Sequence, residues 1–169
     1  DDAYFDKCVD SVRDRLHTTP LPLQMPIGMA ETFKGVIDLL KMKAYIPEDD
    51  LGKIIEEVEI PEEYRGEAEK RRNQLIEAIV ETDDALLEKY FEGEEISIQE
   101  LNKAIRAATI SKKVTPMLCG SSYKNKGVQN LLDAMVEYLP SPLDIEAIKG
   151  INPDTGKEES READVNAPF

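Results

Sequence analysis

The sequence predicts an α/β fold interrupted by a small α+β insertion, and three observations predict it. Two short apolar runs, Leu21 to Ile27 and Val114 to Cys119, each lie beside an amphipathic helical pattern, as in the layers of an α/β sheet. The stretch between them, roughly 85 residues and so within the usual size of a small domain, reads as a strand pair followed by three helices. The charge is also uneven: residues 48–100 carry 19 Asp/Glu against 6 Lys/Arg, which accounts for nearly all of the net charge of -14. Such asymmetry marks a separate module or an interaction face.

Taken in order, Phe5, Cys8, Val12 and Leu16 recur at helical spacing, so residues 2–17 read as a helix that stops before Thr18, Thr19 and Pro20. Leu21 to Ile27 reads as a buried strand ending at Gly28, although Pro22 and Pro26 limit its ladder hydrogen bonds. Leu40 to Ile46 alternates in period two, and so does Glu57 to Ile60 after the turn-like stretch 47–52, which predicts a small antiparallel pair. Pro61 suits the first turn of a helix. Tyr64, Ala68, Leu75 and Ile79 then form one face of a helix through about Glu81, and Glu63, Glu67, Lys70, Gln74, Glu77 and Glu81 the other. Asp83 or Asp84 can cap a short helix ending near Gly93, and Ser97 with Glu100 makes a capping box ahead of Ile98, Leu101, Ile105 and Ala108. Val114 to Cys119 follows as a buried strand, then a polar loop, then a helix on Val128, Leu131, Leu132, Met135, Val136 and Leu139 that stops at Pro140. From Asp144 no apolar period continues, and the tail reads as a linker.

Composition narrows the function. At 169 residues and 41% hydrophobic content the chain can bury a core. No run approaches the roughly 18 apolar residues of a membrane span, so a cytoplasmic protein without membrane contact is expected. The acidic balance speaks against nonspecific binding to nucleic-acid phosphate, which needs surplus Lys and Arg; a basic protein surface is the better partner. Cys8 and Cys119 lie far apart without metal-ligand spacing, so reduced, core-packed thiols are expected and no metal site. His17 is the only histidine, at a predicted helix end, and no constellation of catalytic residues accompanies it. No catalytic residue is therefore assigned.

Two regions could carry function. The charged helix face, with Glu63, Glu67, Lys70, Gln74 and Glu77, would steer a basic partner with an affinity that falls as salt rises, or would serve solubility alone. The loop Gly120-Ser121-Ser122-Tyr123-Lys124-Asn125-Lys126-Gly127 joins a buried strand to a helix, where open α/β sheets place ligands. Its small residues let backbone N–H groups approach a ligand closely, although a plain strand-to-helix turn has the same composition.

That loop, extended from Leu118 to Gln129, closely resembles the elongation factor G family of bacterial translational GTPases, as do Leu131-Leu132-Asp133-Ala134 and Tyr138-Leu139-Pro140-Ser141-Pro142. The resemblance extends to Pro22-Leu23-Gln24-Met25-Pro26-Ile27-Gly28, Phe33 to Leu39, Met42-Lys43-Ala44 and Leu87 to Glu95, and so touches most of the chain. It implies the C-terminal edge of a P-loop GTPase-type sheet, residues 1–28 and 114–142, interrupted by an acidic subdomain called G-prime, residues 29–113, with 143–169 as a linker toward the next domain. It also implies that Ser121, Ser122 and Tyr123 form the last guanine-contacting loop, where Ser121-Ser122 stands for the usual Ser-Ala. The C-terminal domain of the ribosomal stalk protein would approach the acidic face, and the rest of the GTPase domain would complete the parent. The sequence has no G-x-x-x-x-G-K-[ST] phosphate loop and no N-K-x-D motif, and the resemblance implies that the switch regions lie outside it. An inert fragment is thus expected, with GTP and Mg²⁺ belonging to the intact parent, a ribosomal GTPase that drives translocation. The open alternatives are a stand-alone acidic interaction module and a fragment of a ribosome-recycling paralogue.

Overall fold

In the computed structural model, which describes residues 4–49, 52, 54–144 and 147–164, helix α1 (Phe5–Leu16) leads into strand β1 (Pro20–Pro22) and, one residue later, β2 (Gln24–Ile27). Strands β3 (Gly35–Asp38), β4 (Lys43–Pro47) and β5 (Ile55–Val58) follow, then helices α2 (Glu62–Val80), α3 (Asp84–Glu92) and α4 (Ile98–Ile110). Strand β6 (Thr115–Met117) and helix α5 (Val128–Tyr138) come next, and strands β7 (Ile148–Ile151) and β8 (Glu158–Arg161) end the described chain. The protein is thus mixed α/β.

The two runs read as flanking strands do pair. β1 and β6 lie parallel, with Leu21 opposite Pro116. The expected single strand from Leu21 to Ile27 is instead two strands in different sheets. β2 opens an antiparallel meander in the order β2-β3-β4-β5, so the strands on either side of residue 28 belong to one sheet. Pro22 and Pro26 interrupt the run, and the chain changes sheets at Leu23, whose N–H donates to Met117 O at 2.9 Å while its carbonyl accepts from Leu39 N at 3.0 Å. The predicted pair forms as β4 and β5, with Tyr45 opposite Glu57. β3 has no counterpart in the sequence reading, because Gly35, Val36 and Ile37 are all buried and show no period-two signal.

The five α-helices among the described residues occur where the periodicity predicts them. Asp83 caps α3 by accepting from Ala85 N and Leu86 N, and Ser97 and Glu100 complete the capping box of α4. α1 departs in its facing. Val9 is buried, Phe5 and Val12 are half-buried, but Cys8 and Leu16 are exposed. The stripe that meets β1 is therefore centred one residue beyond the predicted one, and Cys8 does not pack in the core as expected. Cys119 is only partly buried, where core packing was expected.

One core joins both parts of the first unit, residues 1–138. Leu21, Ile37 and Leu39 from the sheets and Leu75, Ile79, Leu101 and Ile105 from the helices belong to a single buried cluster. In the second unit, residues 139–169, the described part of the stretch read as a linker carries the β7–β8 hairpin, with Ile148 opposite Arg161. The Asn152 side chain accepts from Asp154 N at 2.9 Å and Thr155 N at 3.1 Å and closes the turn. Val165 to Phe169, read as the approach to a following domain, lie outside the described residues.

Candidate functional site

The loop between β6 and α5 borders a cavity of about 230 Å³ lined by Gly120, Ser121, Ser122, Lys126, Gly127 and Val128, among others. Ser121 and Lys126 face each other across a tight bridge, Ser121 N donating to Lys126 O at 2.9 Å and Lys126 N to Ser121 O at 3.0 Å. Ser121 therefore has no free backbone donor for a ligand. Ser122 and Tyr123 differ, since their N–H groups carry no hydrogen bond among the described residues, and the Tyr123 ring is 99% exposed. Gly127 has φ +77°, and a Cβ there would lie 2.8 Å from Cys119 O, so the loop closes only on glycine.

The loop's polar side chains fasten it to the insertion. Lys124 Nζ donates to Glu31 O at 3.3 Å, Lys126 Nζ to Phe33 O at 3.2 Å, and Gln129 Nε2 to Gly52 O at 2.9 Å. Asn125 Nδ2 also reaches Gly52 O, at 3.4 Å. Gly52 is buried against this loop, where a Cβ would meet Asn125 O at 2.1 Å. Beneath the loop, Gln24 is only 4% exposed and its Oε1 accepts from Cys119 N at 3.4 Å. Burial pushes the Cys119 thiol up to about 12. Sequence reasoning missed Gln24, Gly52 and Gln129 as supports of the loop. A lone Gln between apolar residues was the one available signal, since buried polar side chains need partners.

The second candidate region lies along α2. Glu63, Glu67, Lys70, Gln74 and Glu77 are all exposed on one face, while Ala68, Leu75 and Ile79 are buried on the other. Glu67 Oε1 accepts from Arg71 Nε at 2.8 Å, and Tyr90 Oη donates to Glu77 Oε1 at 3.4 Å. Arg71 also grips both carboxylate oxygens of Asp6 on α1, at 2.8 and 3.1 Å, with its guanidinium 5.5 Å from the Phe5 ring. The Arg71 hydrogen bonds hold the Asp6 carboxyl below its ordinary range. None of the acidic-face residues lines the loop cavity, so the two regions are distinct. Among the described residues no group of His, Cys, Asp and Glu is placed to hold a metal ion, and no helix is long and apolar enough to cross a membrane. His17 ends α1 in the left-handed conformation, φ 51°, and is exposed.

The fold and its two surfaces define a mixed α/β unit with a loop-bordered cavity and an acidic helical face. No family model matches the chain. Among solved proteins it is similar to one from Thermus thermophilus, designated ttk003000868, with a TM-score of 0.73 and 31% sequence identity. The match covers 93% of this chain and 24% of that one. The chain thus spans about a quarter of the length of the solved protein it matches.

Proposed function

We propose that the chain is a segment of a translational GTPase of the elongation factor G type, acting in the cytoplasm, and that it supplies a stalk-docking subdomain and the last guanine-contacting loop. The observation that carries the reading is the 120–127 loop. It has the family's wording, two backbone donors without internal partners at Ser122 and Tyr123, and a cavity beside them. Such donors suit the carbonyl edge of a purine, and the glycine at 127 and the small Ser122 side chain allow close approach. Because Ser121 N is engaged by Lys126 O, the contact falls to Ser122 and Tyr123 rather than to Ser121. The acidic helix face supports the second half of the proposal, since five exposed positions on one side of α2 include three carboxylates and the stalk domain would bring a basic surface.

This chain itself is proposed to be catalytically silent. The phosphate loop and the N-K-x-D motif that would hold GTP and Mg²⁺ are not in its sequence. Reading the gene upstream of the Asp1 codon tests the assignment directly. An in-frame phosphate loop, switch and N-K-x-D motif support a GTPase segment; a start codon immediately before Asp1 overturns it and leaves the acidic interaction module.

A further inference from the structure

The 120–127 loop is not held in shape by its own bonds. Within it, Ser121 and Lys126 exchange backbone hydrogen bonds and Asn125 N donates to Ser122 O at 3.2 Å. Against these stand Asn125 at φ 49° and Gly127 at φ 77°, in the left-handed region that residues other than glycine rarely visit. Bonds as few as these do not offset the entropy of fixing the segment. The remaining ties come from outside. Lys124 Nζ and Lys126 Nζ donate to Glu31 O and Phe33 O, at 3.3 and 3.2 Å, on the turn between β2 and β3. Gln129 Nε2 donates to Gly52 O at 2.9 Å, between β4 and β5.

These acceptors are backbone carbonyls, and the first turn is itself braced. Thr32 N donates to Met29 O and Lys34 N to Ile27 O, both at 2.8 Å, and a Cβ at Gly28 would lie 2.2 Å from Thr32 O. Gly28 N also donates to the Tyr64 hydroxyl at 3.2 Å, which pins the turn to α2. Lys126 acts at both levels: its backbone closes the bridge to Ser121, and its ammonium reaches the braced turn. The unpaired N–H groups of Ser122 and Tyr123 sit on the tip that this bridge closes. Gln129, Phe33 and Gly52 do not line the cavity. We infer that Lys126 and Gln129 are positioning residues, which act through Phe33 O and Gly52 O to set the direction of the Ser122 and Tyr123 N–H groups toward a purine. The inference rests on the reading of the loop as a purine site and adds to it the residues that aim its donors.

Two NMR measurements on the full chain test this: amide hydrogen exchange at Ser121 and Lys126, and the shifts of the Ser122 and Tyr123 amides as guanosine is added at millimolar concentration. In Gln129→Ala and in Lys126→Met the bridge amides are expected to exchange about tenfold faster or more, with circular dichroism unchanged. Guanosine should then be needed at about tenfold higher concentration for the same shift, because only the closed fraction of the loop binds. Ser97→Ala, which removes the cap of α4, is the control for lost stability alone and is expected to move neither readout. Unchanged exchange in both variants overturns the inference, as does an equal increase in Ser97→Ala. Faster exchange with guanosine binding equal to the parent's also overturns it, since the donors are then aimed without the ties, and the purine reading survives. No guanosine shift in the parent brings down the purine reading itself, and this inference with it.

Discussion

The two thiols differ by where their neighbours leave them. Cys8 sits on the exposed side of α1, whereas Cys119 is half-buried beneath the 120–127 loop, with its ionisation pushed up to about 12. Because the thiolate is the reactive form, the folded chain should react quickly with one equivalent of a thiol reagent at pH 8 and with two only after unfolding; rapid reaction of both would contradict the burial of Cys119. Glu100 is the other residue with a strong signature. Hydrogen bonds from Lys89 and then from Ser97 lower its carboxyl from 4.5 to about 2. A carboxyl depressed on folding contributes stability that is complete above its unfolded value and is lost as pH falls through the folded one. The gap in urea midpoint between the parent and Glu100→Gln should therefore be widest above pH 4.5 and close toward pH 2, as denaturation series at several pH values would reveal.

Among the elements, helices are legible in the sequence and strands only partly so. The capping box at Ser97 and the Asp83 cap can be read by eye because their chemistry is local, and both appear where expected. Ser97→Ala should cost about 1 kcal/mol. Gly66, exposed within α2 with open space where a Cβ would go, should give the opposite result, since Gly66→Ala adds about 0.5–1 kcal/mol in a helix interior; urea titration of the two variants checks both signs. β3 is silent because a strand buried on both sides carries no alternation. The β7–β8 hairpin is hidden for a different reason. Asn152-Pro153-Asp154-Thr155-Gly156 is turn chemistry with the composition of a linker, while the strands around it are largely exposed and so show no apolar period. The shift of α1 by one position is invisible, because the sequence has an apolar residue on either side of the true seam. The loop's candidate residues are legible from their wording, but its supports at Gly52 and Gln24 depend on contacts across dozens of residues of sequence.

In the first unit as a whole, the parallel pair and the meander share one core, yet among the described residues the pair β1–β6 has two strands and α5 leaves an apolar face uncovered. Leu131, Leu132 and Met135 are about half exposed and Val136 is 84% exposed. A patch of this kind on a protein in isolation invites association. Sedimentation velocity should find concentration-dependent self-association that Val136→Asp reduces; a monomer at all concentrations would show that the face is tolerated in water. The change of sheets at Leu23 has a consequence for anyone who would cut the chain there. Its N–H belongs to one sheet and its carbonyl to the other, so the junction between the parallel pair and the meander runs through a single residue rather than through a linker. A cut at residue 28 would part β2 from β3, and a cut before Leu23 would take from the parallel pair the residue that donates to Met117 O. Neither sheet can be excised whole unless it keeps Leu23, which makes that residue a shared splice rather than a border.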